Sequence, residues 1–326
     1  MMDTTLARDD RRLRALQRGL PLWLALGAAV ALGVTVAADF GAVTGVLGRF
    51  RIDLLVPILA LTIVNYGLRF GKWTYYLHLI GAPPIGRREN ATIFFAGLSM
   101  TMTPGKVGEW LKSYLLQIRH GVPFATSAPI IVAERLTDGL AMMLLAMAGL
   151  LGNGLGWEIL LAVAALGAAI VALSQARTFV TAVLARVSDW PLVGPRTHHL
   201  LAFYESSRRL LAPRPLAAAI VVGVVSWGAE CFAFYLVLIG LGVSSSIGLV
   251  AQSAFVLAVA SLAGSLSMLP GGLGVAEGSI AGLLLFLGVT DQVPVAAAAT
   301  LVIRFATLWF GVAIGTIALA TIARRA

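Results

Sequence analysis

The residues in this chain whose types could do chemistry are charged groups set inside hydrophobic stretches, beside two Pro-Gly turns. The first turn lies in Thr103-Pro104-Gly105-Lys106-Val107-Gly108-Glu109. The second lies in Leu269-Pro270-Gly271-Gly272-Leu273-Gly274, with Glu277 just beyond. An apolar stretch with one arginine follows each, holding Arg135 and Arg304 respectively. The chemistry these types support is anion binding. A half-helix that begins after a Pro-Gly break offers free N–H groups and the positive end of its dipole. Glycines let the backbone approach a ligand closely, and Lys106 adds a charge at the first turn. The arginine fork matches phosphate oxygens bidentately. In Glu134-Arg135-Leu136-Thr137-Asp138 the two acids share a helix face and would orient Arg135 on an anionic group. Each feature also has a structural reading. Arg135 could close an internal salt bridge with Asp138, the Pro-Gly corners could only shape packing, and Glu109, Glu230 and Glu277 could be ion-pair partners rather than proton carriers.

The elements that must position these residues are membrane helices. The chain has 326 residues, 59% hydrophobic and 12% charged, with a mean hydropathy of +0.91. A soluble domain of this size carries about twice that share of charged residues. The net charge of +9 is explained by basic loops that obey the positive-inside rule, so nucleic acid is not expected as a partner. The single cysteine, Cys231, excludes an intrachain disulfide. No zinc spacing, phosphate-binding Gly-x-x-x-x-Gly-Lys loop or Ser–His–Asp cue is present. His198-His199 stand in a polar connector without nearby acids. The expectation is therefore no enzyme activity, no metal and no cofactor.

Loops and spans alternate in a readable order. Residues 1–19 form a basic cytoplasmic segment, and residues 20–322 form one membrane domain. Full spans are expected near Leu20–Ala38, Leu54–Ile80, Ser127–Leu151, Ile159–Leu173, Leu216–Ile239 and Val295–Ile322. A polar connector over about 175–214 carries an amphipathic helix. Ala91–Thr103 is too short to cross, because thirteen residues cover about 20 Å against a hydrocarbon core of about 30 Å. With basic residues at both flanks, it and the segment to Leu116 read as a re-entrant hairpin broken at Pro104-Gly105. Leu249–Leu287, broken at Pro270-Gly271, reads the same way. Backbone broken at membrane depth is tolerated only inside protein or against a water-filled cavity. Both termini are expected in the cytoplasm.

The two halves also match each other. Tyr76-Leu77-His78-Leu79-Ile80-Gly81 and Tyr235-Leu236-Val237-Leu238-Ile239-Gly240 each end a span before a broken pair, and an arginine-bearing span follows each pair. The sequence thus predicts an all-α polytopic bundle of about six full spans and two re-entrant hairpins. They form two inverted repeats, one over about 54–151 and one over about 216–322. Such repeats in transporters place the substrate site near the bilayer midplane, between them.

The Thr103–Glu109 motif, Glu134-Arg135-x-x-Asp138, Leu269–Gly274 with Glu277-Gly278, and Arg304 with Trp309 together resemble the lysylphosphatidylglycerol synthase transmembrane-region family. The likeness covers roughly residues 20–322. It implies a flippase-like membrane domain of the inner membrane. In bifunctional members this region moves an aminoacylated phospholipid between leaflets, and a separate soluble domain makes that lipid. The chain stops at Ala326, so the synthase domain and its aminoacyl transfer are not expected here. The function expected is translocation of an anionic phospholipid or polyprenyl-phosphate-linked lipid. The alternative is a membrane-embedded transferase, or a non-transporting subunit of a glycolipid assembly pathway. The expected substrate-binding residues are Pro104, Gly105, Lys106, Gly108, Glu109, Glu134, Arg135, Asp138, Pro270, Gly271, Gly272, Gly274, Glu277 and Arg304. The expected partners are a membrane lipid with a phosphate head group and either a second copy of the chain or a lipid-biosynthesis enzyme.

Overall fold

The computed structural model describes residues 25–30, 32–33, 35–103, 108–148, 156–187, 190 and 194–324. These residues form an all-α polytopic bundle with no β-strand among them. Pro104, Gly105 and Lys106 lie outside the described residues, as do residues 1–19 and residues 20–24, 31 and 34 of the first expected span.

Helix α1 covers Phe40–Leu47, and the Asp39 carboxylate caps it by accepting the Gly41 and Ala42 amides at 3.0 and 3.2 Å. Helix α2, Leu55–Leu79, is a full span with Thr62, Asn65 and Tyr66 buried against protein. Asn65 Nδ2 donates to the Ser226 carbonyl at 2.9 Å, and Lys72 is buried. Helix α3 (Arg87–Ser99), a short 3-10 turn (Met100–Met102) and helix α4 (Leu111–His120) make the first hairpin. Helix α5 follows over Phe124–Ala148, then α6 (Gly156–Gln175), α7 (Arg177–Val187) and α8 (Thr197–Leu210). Helix α9, Pro213–Gly240, is the next long span. The second hairpin is α10 (Ile247–Leu266), a turn at Pro270–Gly272 and α11 (Val275–Phe286). The last span is α12 (Val293–Arg304), a π-helical turn (Phe305–Trp309) and α13 (Phe310–Ala323).

Among the described residues, four helical segments are long and apolar enough to cross a membrane: Ile52–Leu79, Pro213–Gly240, Ile247–Leu266 and Val293–Ile322. Two bent pairs, 25–47 and 160–186, raise that to six. Helix α5 has the length of a span, but Glu134, Arg135 and Asp138 make it too polar to be recognised by hydropathy. The first arm of the second hairpin, α10, has 20 residues, enough for about 30 Å.

The bundle has two ends. At one end the hairpin α3–α4 closes on itself: Glu89 near its start meets Arg119 at 3.4 Å and His120 at 3.3 Å near its finish. Arg119 also donates to the Ile322 carbonyl at 3.2 Å, which places the finish of α13 there too. Ile80, Leu116, Val122, Leu210 and Leu216 belong to the same apolar cluster. At the other end the Arg51 amide donates to the Gly240 carbonyl at 3.0 Å. Leu54, Leu241, Val243, Leu287 and Val289 pack there, at both feet of the second hairpin. The two hairpins therefore enter the bundle from opposite ends, and helices α2 and α9 run antiparallel. The hairpin tips meet inside, where Met102, Leu273 and Val312 pack together. The last helix holds the first hairpin at close range. A methyl added at Gly315 would run into the backbone of Phe95, Leu98 and Ser99. A small residue at Gly315 is the means by which these membrane helices approach closely, while Gly311, one turn earlier, makes room for the Tyr66 ring of α2.

Candidate functional site

A cavity of about 150 Å³ lies where the hairpin tips meet, with walls drawn from both halves of the chain. That is room for roughly ten waters or one compact head group. Of the expected site residues, Glu109, Arg135, Gly271, Gly272 and Arg304 line it. Lys112, on the first hairpin, lines it as well.

The charges around the cavity are paired in a defined pattern. Arg135 grips Glu109 with both Nε and Nη2, the former at 2.7 Å. Arg304 Nε donates to Glu277 Oε1 at 2.6 Å. In each half, then, a glutamate just past the hairpin break is paired with the arginine 26 or 27 residues later. Lys112 Nζ binds Glu134 Oε2 at 2.5 Å, and Lys72 Nζ binds Asp138 Oδ1 at 2.5 Å. Arg69 approaches Asp138 at 3.9 Å. The sequence allowed an Arg135–Asp138 pair within α5, whereas the structure gives Arg135 to Glu109 and Asp138 to Lys72. The reason is direction: three charged side chains leave α5 toward three different neighbours, α2, α4 and the approach to α4. Glu134, Asp138 and Glu277 therefore stand behind the cavity wall as partners of its cations rather than in the wall.

Charged groups at this depth are costly unless paired or turned to water. Exposure separates the two arginines. The Arg135 side chain keeps 34% exposure, while Arg304 keeps 15%. Arg135 is thus the cation most open to a ligand. Arg304 has a second task at the second break. Its Nη2 donates to the Gly271 carbonyl at 2.7 Å, and Glu277 Oε2 accepts the Gly274 amide at 2.7 Å. This ion pair supplies partners to backbone groups that the break has freed, as buried irregular backbone requires. The tip also needs glycine. Gly271 and Gly272 have φ of 59° and 69°, and a side chain at Gly272 would meet the backbone of Gly264. Pro270 is buried at the tip. In the first tip Gly108 donates its amide to Thr103 Oγ1 at 2.7 Å and has no room for a side chain beside Met100.

Tyr66 and Arg69 on α2, and Trp227 and Glu230 on α9, also line the cavity and were not among the expected site residues. Each pair is spaced three apart, which puts both members on one helix face. That spacing in two charged spans was the signal available. Tyr66 donates to the Thr307 carbonyl within the π-helical turn. Such turns recur at functional sites. Trp110, by contrast, stacks on Phe124 with ring centroids 5.9 Å apart, and Trp309 packs beside Met102, so both are packing residues. Among the described residues no cluster of His, Cys, Asp or Glu could hold a metal ion.

A multi-helix bundle with a charged internal cavity between two opposed hairpins defines a polytopic membrane protein. The model of the lysylphosphatidylglycerol synthase TM region matches residues 23–315, and the chain belongs to this family. A UPF0104 membrane protein of Methanothermobacter thermautotrophicus is 36% identical over 102 residues. That alignment spans 31% of this chain and 29% of the relative, so the chain matches under a third of the relative's length.

Proposed function

We propose that the protein is a lipid translocase of the inner membrane, which moves a lipid with a phosphate-bearing head group between leaflets. The observation that carries this reading is the charged cavity at the meeting point of two hairpins that open to opposite ends. A head group in that cavity is shielded from hydrocarbon while its tails stay in lipid. The two hairpins belong to an inverted repeat, and rocking one repeat against the other opens the cavity to each leaflet in turn. Arg135 is the first contact for the phosphate, and Arg304 holds the second hairpin in shape. Arg87, Arg88, Arg119 and Arg324 mark the cytoplasmic end by the positive-inside rule, which puts both termini in the cytoplasm. No chemical change of the lipid is part of this reading.

The test is reconstitution of the full chain into vesicles with a fluorescent phosphatidylglycerol. The expected result is exchange of the label between leaflets with lipid composition unchanged by mass spectrometry. A new lipid species without leaflet exchange would replace the translocase with a transferase.

A further inference from the structure

Every acid around the cavity is paired except one. Glu109, Glu134, Asp138 and Glu277 each meet a lysine or arginine. Glu230 lines the cavity, is 5% exposed, and makes no hydrogen bond or ion pair with any described residue. One turn away on the same face, Trp227 Nε1 is a buried donor with no partner among the described residues. The Arg69 guanidinium lies over the Trp227 ring at 5.5 Å. An unsatisfied buried donor is costly, and this one stands one turn from an unpaired carboxyl, on two residues that line the same cavity, which marks a place where a ligand can supply the missing partners.

We infer that Arg69, Trp227 and Glu230 form a phosphate subsite in which Glu230 binds a proton together with the head group. With Glu230 protonated, the subsite offers three donors to phosphate oxygens: the Arg69 guanidinium, the Trp227 N–H and the Glu230 O–H. With Glu230 ionised, a carboxylate would face the phosphate and repel it. The groups that face Glu230 are Tyr66 and Arg69 on α2, Asp138 on α5, Arg304 on α12 and its neighbour Cys231 on α9. Apart from Glu230, the acids among these groups are held by ion pairs, which leaves Glu230 as the group able to exchange a proton with cavity water. Proton and anionic lipid then bind together and leave together, and a proton gradient drives the lipid. This inference rests on the translocase reading and adds its coupling ion.

The test is titration calorimetry of the full chain in phosphatidylcholine nanodiscs with diheptanoyl phosphatidylglycerol, whose single charge is constant from pH 5 to 8. Repeating it in buffers of different ionisation enthalpy counts protons. The wild type should take up about one proton per lipid bound, and its affinity should rise up to tenfold for each unit fall in pH across the range where Glu230 titrates. Glu230→Gln, which mimics the protonated carboxyl, should bind with no proton uptake and no pH dependence. Trp227→Phe should bind several-fold more weakly and keep the proton. If the wild type binds the lipid without proton uptake, or if Glu230→Gln still takes one up, the inference fails and the translocase reading stands. If the wild type does not bind this lipid at any pH, the anionic-lipid reading itself fails.

Discussion

The ion pair beneath the second hairpin gives a perturbation whose size can be worked from the structure. Glu277 is 4% exposed, and its two oxygens serve Arg304 at 2.6 Å and the Gly274 amide at 2.7 Å. Arg304 also serves the Gly271 carbonyl at 2.7 Å. Arg304→Met strands a buried carboxylate, which costs about 3–5 kcal/mol, and it orphans a carbonyl, which costs about 1–3 kcal/mol more. Polar contacts in membrane proteins often measure near 0.6 kcal/mol, so the lower ends are the safer choice, and the single substitution should cost about 4 kcal/mol in total. Glu277→Gln keeps an acceptor for Gly274 but strands the arginine, for about 3 kcal/mol. In the double variant both charges are gone and only the Gly271 carbonyl is orphaned, for about 1–2 kcal/mol. Equilibrium unfolding in mixed micelles of the four proteins measures the cycle. The double variant should be more stable than either single variant. If its loss equals the sum of the single losses, the pair is not coupled and does not hold the tip.

Further consequences follow from the hairpins. Gly315→Leu should push α13 away from α3 and destabilise the protein by about 1–3 kcal/mol or more, read by thermal unfolding, while the same change at Gly33, which has open space around it, should be tolerated. Single cysteines at Arg88 and Arg119 in a Cys231→Ala background should label from one side of the membrane, and cysteines at Ser244 and Asp291 from the other. Labelling of Arg88 and Arg119 from opposite sides would remove the first hairpin. Replacing Pro270 and Gly271 together with Ala favours a continuous helix, since Ala is better than Pro by about 3 kcal/mol and than Gly by about 1 kcal/mol in a helix interior. That variant should fold but move lipid slowly at matched protein levels, and unimpaired movement would mean that the break only shapes packing.

Much of the helical frame is legible in the residues themselves. The span at Leu54–Ile80 and helix α2 agree to one residue at each end, because a long apolar run between a charged pair and Gly81 has few alternatives. The Pro-Gly breaks at Pro104 and Pro270 and the glutamates after them also announce themselves locally. Partner choice does not. Glu134, Arg135 and Asp138 sit together in sequence, yet they diverge to Lys112, Glu109 and Lys72, because tertiary packing decides where each long side chain finds an opposite charge. Trp227 and Glu230 were visible as membrane-embedded residues, but their place in the cavity depends on how α9 lies against α2 and α5. The carbonyl that Arg304 satisfies exists only because Gly271 adopts a left-handed conformation in the folded tip.

The claim that a head group passes between the two hairpin tips can be measured by locking them. Met102 and Leu273 belong to one packed cluster at the tips, so cysteines at both positions in a Cys231→Ala background can be joined by a short cleavable thiol cross-linker. Leaflet exchange of fluorescent phosphatidylglycerol is then followed in vesicles before cross-linking, after it, and after cleavage. Exchange should stop when the tips are joined and return when the link is cut, with each single-cysteine control unaffected. Exchange that continues at the same rate with the tips joined would contradict passage between them.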